Sequence, residues 1–104
     1  MAWRISPIFR YTVMGNSMEP TFFEGDKVLA NRLAYLFKVP QKEDIVIAKY
    51  PDNIEKRVIK RIHKITPLRY FLTGDGDQKS TNSRYFWVVK SKDIVGKVVI
   101  RRNQ

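Results

Sequence analysis

Lys56-Arg57-Val58-Ile59-Lys60-Arg61-Ile62-His63-Lys64-Ile65 is the stretch on which the reading of the fold turns. It is rich in β-branched residues, which fit a pleated, half-buried surface. Side chains alternate between the faces of a strand. One face therefore reads Val58, Lys60, Ile62, and the other reads Arg57, Ile59, Arg61, His63, Ile65. Working outward, segments of the same kind occupy residues 10–14, 27–31, 44–50, 69–73, 85–89 and 94–101. Turn chemistry separates them: Gly25-Asp26, Pro51-Asp52-Asn53, Pro67, Gly74-Asp75-Gly76-Asp77 and Ser80-Thr81-Asn82-Ser83. One short helical piece is expected over residues 31–38, ended by Val39-Pro40. The expectation is a mainly β chain, an antiparallel coiled or barrel-like sheet with at most one short helix. At 104 residues it reads as a single domain spanning 1–104.

Composition narrows the chemistry. The chain has no cysteine, which excludes a disulfide framework, a thiolate nucleophile and cysteine-ligated zinc. One histidine, His63, and only ten carboxylates argue against a metal centre, and no cofactor is expected. The net charge of +10 calls for an anionic partner, whether nucleic acid, an anionic membrane surface or an acidic partner, or else serves solubility. No apolar run reaches the roughly 18 residues that span a bilayer. The chain reads as soluble or membrane-associated, peripherally or through an anchor outside it.

Two positions carry candidate chemistry. Lys60 is flanked on its own face by Val58 and Ile62. A lysine enclosed there loses water, which disfavours the ammonium form and fits it for general-base work. Alternatively, its stem lies along the core edge and the amine reaches solvent. His63, on the opposite and more basic face, reads as a surface residue. The second position is Ser17, in Gly15-Asn16-Ser17-Met18-Glu19-Pro20-Thr21 directly after a strand. Gly15 and Asn16 tolerate positive φ, and Pro20 stiffens the exit. Such a turn can hold a hydroxyl clear of the sheet with its own N–H free for an oxyanion. The same stretch also fits an ordinary turn in which Ser17 caps the segment from Met18 to Phe22.

Taken together, four blocks in order resemble the type I signal peptidase family of Ser–Lys proteases. They are residues 15–21 followed by Gly25-Asp26-Lys27-Val28-Leu29; Asp44-Ile45-Val46-Ile47; Arg57-Val58-Ile59-Lys60-Arg61-Ile62; and residues 74–84 backed by Ile94-Val95-Gly96-Lys97-Val98. The resemblance implies the β-rich signal-peptidase catalytic core, a Ser17 nucleophile and a Lys60 general base. It also implies that Ser80 orients the Lys60 amine, that Asp75 pairs with Arg61, that Arg84 braces the last loop and that Met18 packs beside the dyad. Substrates would be extended peptides or precursor proteins with small residues before the cut, lying along Met14, Gly15 and Asn16.

The chain departs from the family pattern at three places. Gly15 stands where many bacterial members carry a serine that supplies a second oxyanion donor. Asn82 replaces an aspartate, and Gly76 replaces an asparagine. In compactness the chain is similar to the proteases proposed to mature nickel superoxide dismutase. Two other readings stay open: a basic oligonucleotide-binding barrel using Tyr70, Phe71, Tyr85, Phe86 and Trp87, and an inactive peptide-binding relative. Nucleic acid is the less favoured partner, because a barrel gives no reason for the ordered Ser17, Lys60 and Ser80 blocks.

Overall fold

Alternating β-branched segments punctuated by Gly, Pro and Asp resolve into seven strands in a computed structural model, which describes residues 7–50, 53–77 and 87–102. The strands are β1 (Ile8–Thr12), β2 (Lys27–Asn31), β3 (Ile45–Tyr50), β4 (Asn53–Ile65), β5 (Tyr70–Thr73), β6 (Trp87–Val89) and β7 (Ile94–Arg102). They form one open sheet in the order β1-β2-β7-β3-β4-β5-β6, and every pairing is antiparallel. Sequence neighbours pair as hairpins, except that β7 returns to lie between β2 and β3. Each of the seven expected strand segments is found, with ends shifted by a few residues.

β3 explains why the core divides in two. Its run Ile45-Val46-Ile47-Ala48 is apolar without a break because β3 lies inside the sheet and is covered on both faces. Val46 and Ala48 join Val58, Ile62, Leu72 and Val89 in one buried cluster. Ile47 joins Val13, Met18, Phe22, Val28, Ala30 and Ile59 in another. The second face of β4, expected to be basic, is thus buried at Ile59, where the loop between β1 and β2 packs over it. The β4–β5 register shifts between Ile62 and Lys64, a bulge that leaves His63 exposed.

The helix expected over residues 31–38 does not form. Asn31 ends β2, and its Oδ1 accepts the Leu33 N–H at 2.9 Å. The Ala34 N–H reaches Asn31 O at 3.4 Å, and the Leu36 N–H reaches Leu33 O at 3.1 Å. An Asx bond of this kind competes with helical pairing, and a segment this short does not recover the cost of helix nucleation. The described residues contain short 3-10 turns, Asp75–Asp77 and Ser91–Asp93, and no helix long and apolar enough to cross a membrane.

One glycine lets the sheet close around β7. A Cβ at Gly96 would stand 2.9 Å from Asn31 O and 3.0 Å from the Phe9 ring. Any side chain there would push β7 away from the end of β2.

Candidate active site

After β1 the chain does not turn straight back into β2 but makes a loop over residues 13–26. Its neck is closed by the Val13 N–H donating to Asp26 O and the Gly25 N–H donating to Val13 O, both at 2.8 Å. Asp26 Oδ2 also accepts the Phe23 N–H at 2.9 Å. Gly15 and Gly25 supply the left-handed residues at φ +77° and +93°. Val13, Met18 and Phe22 point inward, with Met18 only 1% exposed. Burial of the Met18 side chain alone contributes about 2 kcal/mol. This anchor holds its neighbour Ser17 at the half-buried crest of the loop.

Opposite the crest, β4 presents Lys60, which is 6% exposed. Lys60 Nζ lies 3.1 Å from Ser17 Oγ, a hydrogen-bond separation spanning 43 residues of sequence. The amine is also 5.6 Å from the centre of the Trp87 ring, and Tyr50 meets that ring edge-on at 4.7 Å. Around the pair is a cleft of about 120 Å³, walled by Tyr11, Met14, Tyr50, Arg57, Val58 and Trp87. Two larger hollows, about 700 and 460 Å³, flank residues 32–40 and include neither Ser17 nor Lys60. Ser17 and Lys60 therefore meet in the small cleft. β1 pairs only with β2, and β4 meets β5 only along its 61–65 end, so an edge of β1 and an edge of β4 over 53–60 lack ladder partners among the described residues. Tyr11 Oη donates to Arg57 O at 3.2 Å, tying these two edges together.

Arg61, one residue beyond Lys60, grips the same loop from another side. Its Nε and Nη2 donate to the two oxygens of Asp75 at 2.7 and 2.9 Å, and its Nη1 donates to Glu43 O at 2.9 Å. Thr21 Oγ1 donates to Asp75 Oδ2, and the Gly76 N–H donates to Ser17 O at 2.8 Å. A Cβ at Gly76 would lie 3.1–3.3 Å from the carbonyl oxygens of Glu19, Asn16 and Ser17. The 3-10 turn is thus seated directly on the Ser17 turn, and glycine at 76 permits the close seat.

Burial alone would push the Asp75 carboxyl up. The hydrogen bonds from Arg61 and Thr21, together with the Arg61 charge, outweigh it and hold the group below the usual carboxylate range. The Arg61 guanidinium is pushed up, chiefly by its hydrogen bond to Asp75. A carboxyl with a depressed folded pKa adds stability that is present above its unfolded value, about 3.9, and is lost as pH falls through the folded value. Asp75→Asn should therefore lower stability by about 2 kcal/mol near neutrality. In thermal melts the gap between the two proteins should narrow as pH falls below the unfolded value of about 3.9. An unchanging gap across that range would mean that the Asp75 charge contributes nothing.

The structure brings Ser17 and Lys60 together, buries Met18 beneath them, pairs Asp75 with Arg61, and leaves Met14, Gly15 and Asn16 exposed along the crest. Ser80, Asn82 and Arg84 lie outside the described residues. Sequence reasoning did not single out Thr21, Tyr50 or Arg57 for the site, and it counted Trp87 only among aromatics available for stacking on bases. Thr21 stands inside the serine block over residues 15–21, so only its partner was hidden. Tyr50 and Trp87 come from distant strands and carry no local mark. Among the described residues no three His, Asp or Glu side chains converge on a point that could hold a metal.

Residues 1–67 match the protein-family model described as signal peptidase, peptidase S26. The chain belongs to this family. Over 52 residues it is 44% identical to signal peptidase I of Aquifex aeolicus, covering 50% of this chain and 20% of that protein. It is 36% identical over 107 residues to mitochondrial inner membrane protease subunit 1 of Mus musculus, covering 84% of this chain and 64% of the relative. Signal peptidase I V of Bacillus subtilis is 27% identical over 137 residues, covering 83% and 80%. The chain thus spans a fifth of the Aquifex protein and under two thirds of the mouse one. Within the S26 signal peptidases its β-rich core agrees with the fold that the four blocks implied.

Proposed function

We propose that this S26 family member is a serine endopeptidase that trims precursor peptides, with Ser17 as nucleophile and Lys60 as general base. The observation that carries the reading is the 3.1 Å approach of the amine of a lysine only 6% exposed to the hydroxyl of a serine held on a rigid crest. Lys60 takes the Ser17 proton as Oγ attacks the scissile carbonyl, and then returns it to the leaving amine. The same amine next deprotonates the water that hydrolyses the acyl ester. The Ser17 N–H, which no described residue accepts, donates to the oxyanion. Asp75 and Arg61 steady the serine loop and Met18 anchors it, while the family resemblance assigns Ser80 to orienting the Lys60 amine and Arg84 to bracing the last loop.

The substrate lies extended between the unladdered edges of β1 and β4, along Met14, Gly15 and Asn16. A cleft of about 120 Å³ suits small side chains before the cut. Incubation with precursor peptides bearing Ala-X-Ala sites, followed by mass spectrometry, tests the reading. Cleavage after the second alanine is expected, and an uncut panel overturns it. The oligonucleotide reading gains no support from Tyr70 and Trp87, which pack against the core.

The same proposal includes an anionic membrane surface as a partner. Among the apolar residues that the turns and ends carry, Phe22 is buried, Phe9 and Tyr35 pack against the core, and Trp3 lies outside the described residues. Phe23, Leu33, Leu36 and Phe37 remain exposed, Phe37 at 92%. Leu33, Leu36 and Phe37 stand with Arg32 and Lys38 on one short arch, a combination suited to a lipid interface. Co-sedimentation with vesicles rich in anionic lipid, and not with neutral ones, is the expected result. Replacing both Leu36 and Phe37 with serine should weaken it about tenfold or more. Absence of binding to either vesicle removes the membrane from the proposal.

A further inference from the structure

The cleft beside Ser17 carries a charge that the proposed chemistry does not use. Among the described residues its lining includes Arg57 as well as Lys60, and no Asp or Glu. Arg57 is exposed, and among the described residues it meets no carboxylate. Its Cζ lies 6.0 Å from the centre of the Phe9 ring, and Arg32 Cζ lies 4.8 Å from the same ring. Arg57 O is held by Tyr11, so the backbone from which the guanidinium springs is fixed against β1. We propose that Arg57 makes this cleft selective for peptides that carry a carboxylate side chain near the scissile bond. The inference rests on the endopeptidase reading above and names its substrate class more closely.

Position follows from strand pitch. Arg57 lies three residues before Lys60 on β4, about 10 Å along the strand and on the face opposite to Lys60, the face it shares with Ile59, which also lines the cleft. An extended peptide in the cleft advances at the same pitch, so the guanidinium meets a residue about two to four positions from the bond that is cut. A guanidinium presents a planar fork that matches a carboxylate through two hydrogen bonds, and Phe9 beneath it restricts where the fork can swing. The contact is open to water, so its effect is moderate and falls with added salt. The general charge of +10 would also favour acidic peptides, but without regard to position and without dependence on any single arginine.

The test uses Ala-X-Ala peptides in which each of four positions on either side of the cut is set in turn to Glu, Gln or Lys. Values of kcat/KM are read for the parent protein, Arg57→Gln, Arg57→Glu and, as a remote basic control, Arg69→Gln. The parent should favour Glu over Gln by about three- to tenfold at one position, mainly through KM. Arg57→Gln should bring that ratio near one, Arg57→Glu should turn the preference towards Lys, and Arg69→Gln should keep the parent ratio. A preference that survives Arg57→Gln, that falls equally in Arg69→Gln, or that is absent from the parent overturns the proposal. If no peptide is cut, the endopeptidase reading fails by itself. Fluorescence anisotropy then compares binding of the same Glu and Gln peptides to Ser17→Ala and to Ser17→Ala/Arg57→Gln. An acid preference confined to the protein that retains Arg57 upholds the inference, and equal ratios or no binding overturn it.

Discussion

Ser17→Ala is expected to reduce cleavage by about 10⁴-fold or more while leaving the fold in place. The expectation has two separate parts. The catalytic part follows from geometry, because Ser17 Oγ lies within hydrogen-bond reach of the buried Lys60 amine. Without it the amine has no nucleophile to activate, and the oxyanion donor can assist only an unpositioned water. The structural part follows from packing. Ser17 is half exposed, and the loop is anchored by Val13, Met18 and Phe22 and by its closed neck. Removing one hydroxyl should therefore change stability by no more than about 1 kcal/mol. Mass spectrometry of the peptide digest beside a thermal melt reads both parts. Retained turnover in a clean preparation would remove Ser17 from the mechanism, whereas loss of folding would reassign it to the scaffold.

Lys60→Met should be equally inactive, and it should fold at least as well as the parent. Burial at 6% exposure disfavours the ammonium, so the amine is expected to titrate below the ordinary lysine value of about 10.4. The Trp87 ring at 5.6 Å works the other way, by about 0.5–2 kcal/mol. Burial of an amine is the larger effect, reaching about 4–7 kcal/mol at a fully buried site. Arg57 beside it in the cleft lining adds unfavourable positive charge, whereas the charge of Arg61 is offset by Asp75. A base must be neutral to accept a proton, so cleavage should rise with pH through the lowered pKa and level off above it. An amine whose folded pKa is depressed costs stability as pH falls below its unfolded value, and methionine keeps the apolar stem without that cost. Lys60→Arg should also be inactive, because a guanidinium does not deprotonate at usable pH. His63, exposed at the β4 bulge, serves as the control, and His63→Gln should cut nearly as the parent does. An active Lys60→Met with an inactive His63→Gln would transfer the base to the histidine.

How much of the molecule is legible in its sequence depends on whether the cause is local. Alternating β-branched residues with Gly, Pro and Asp between them are enough to specify seven strands, since pleat, side-chain period and turn conformation are properties of neighbours in sequence. The same holds for the left-handed glycine at 15, which a tight exit from β1 demands. Where two local tendencies compete, the reading failed. Residues 31–38 carry helix-forming side chains, but Asn31 closes an Asx turn at the end of β2 and the segment becomes an arch.

The candidate site mixes both kinds of cause. Turn chemistry and strand alternation marked Ser17 and Lys60, and the family resemblance added Asp75 and Arg61. Their meeting is a tertiary event. β7 returns between the β1–β2 hairpin and β3, and the hairpin's loop packs against Ile59 of β4, bringing Ser17 to Lys60 across 43 residues. Tyr50 and Trp87 become walls of the cleft only because β3 and β6 end beside it. Ile59 is buried rather than basic surface because that loop covers its face. Sequence determined which groups the chain carries and which segments extend, since backbone and rotamer preferences act over a few residues. Only the tertiary structure decided which of them touch, because contact between distant strands depends on sheet order and on the burial that order makes possible.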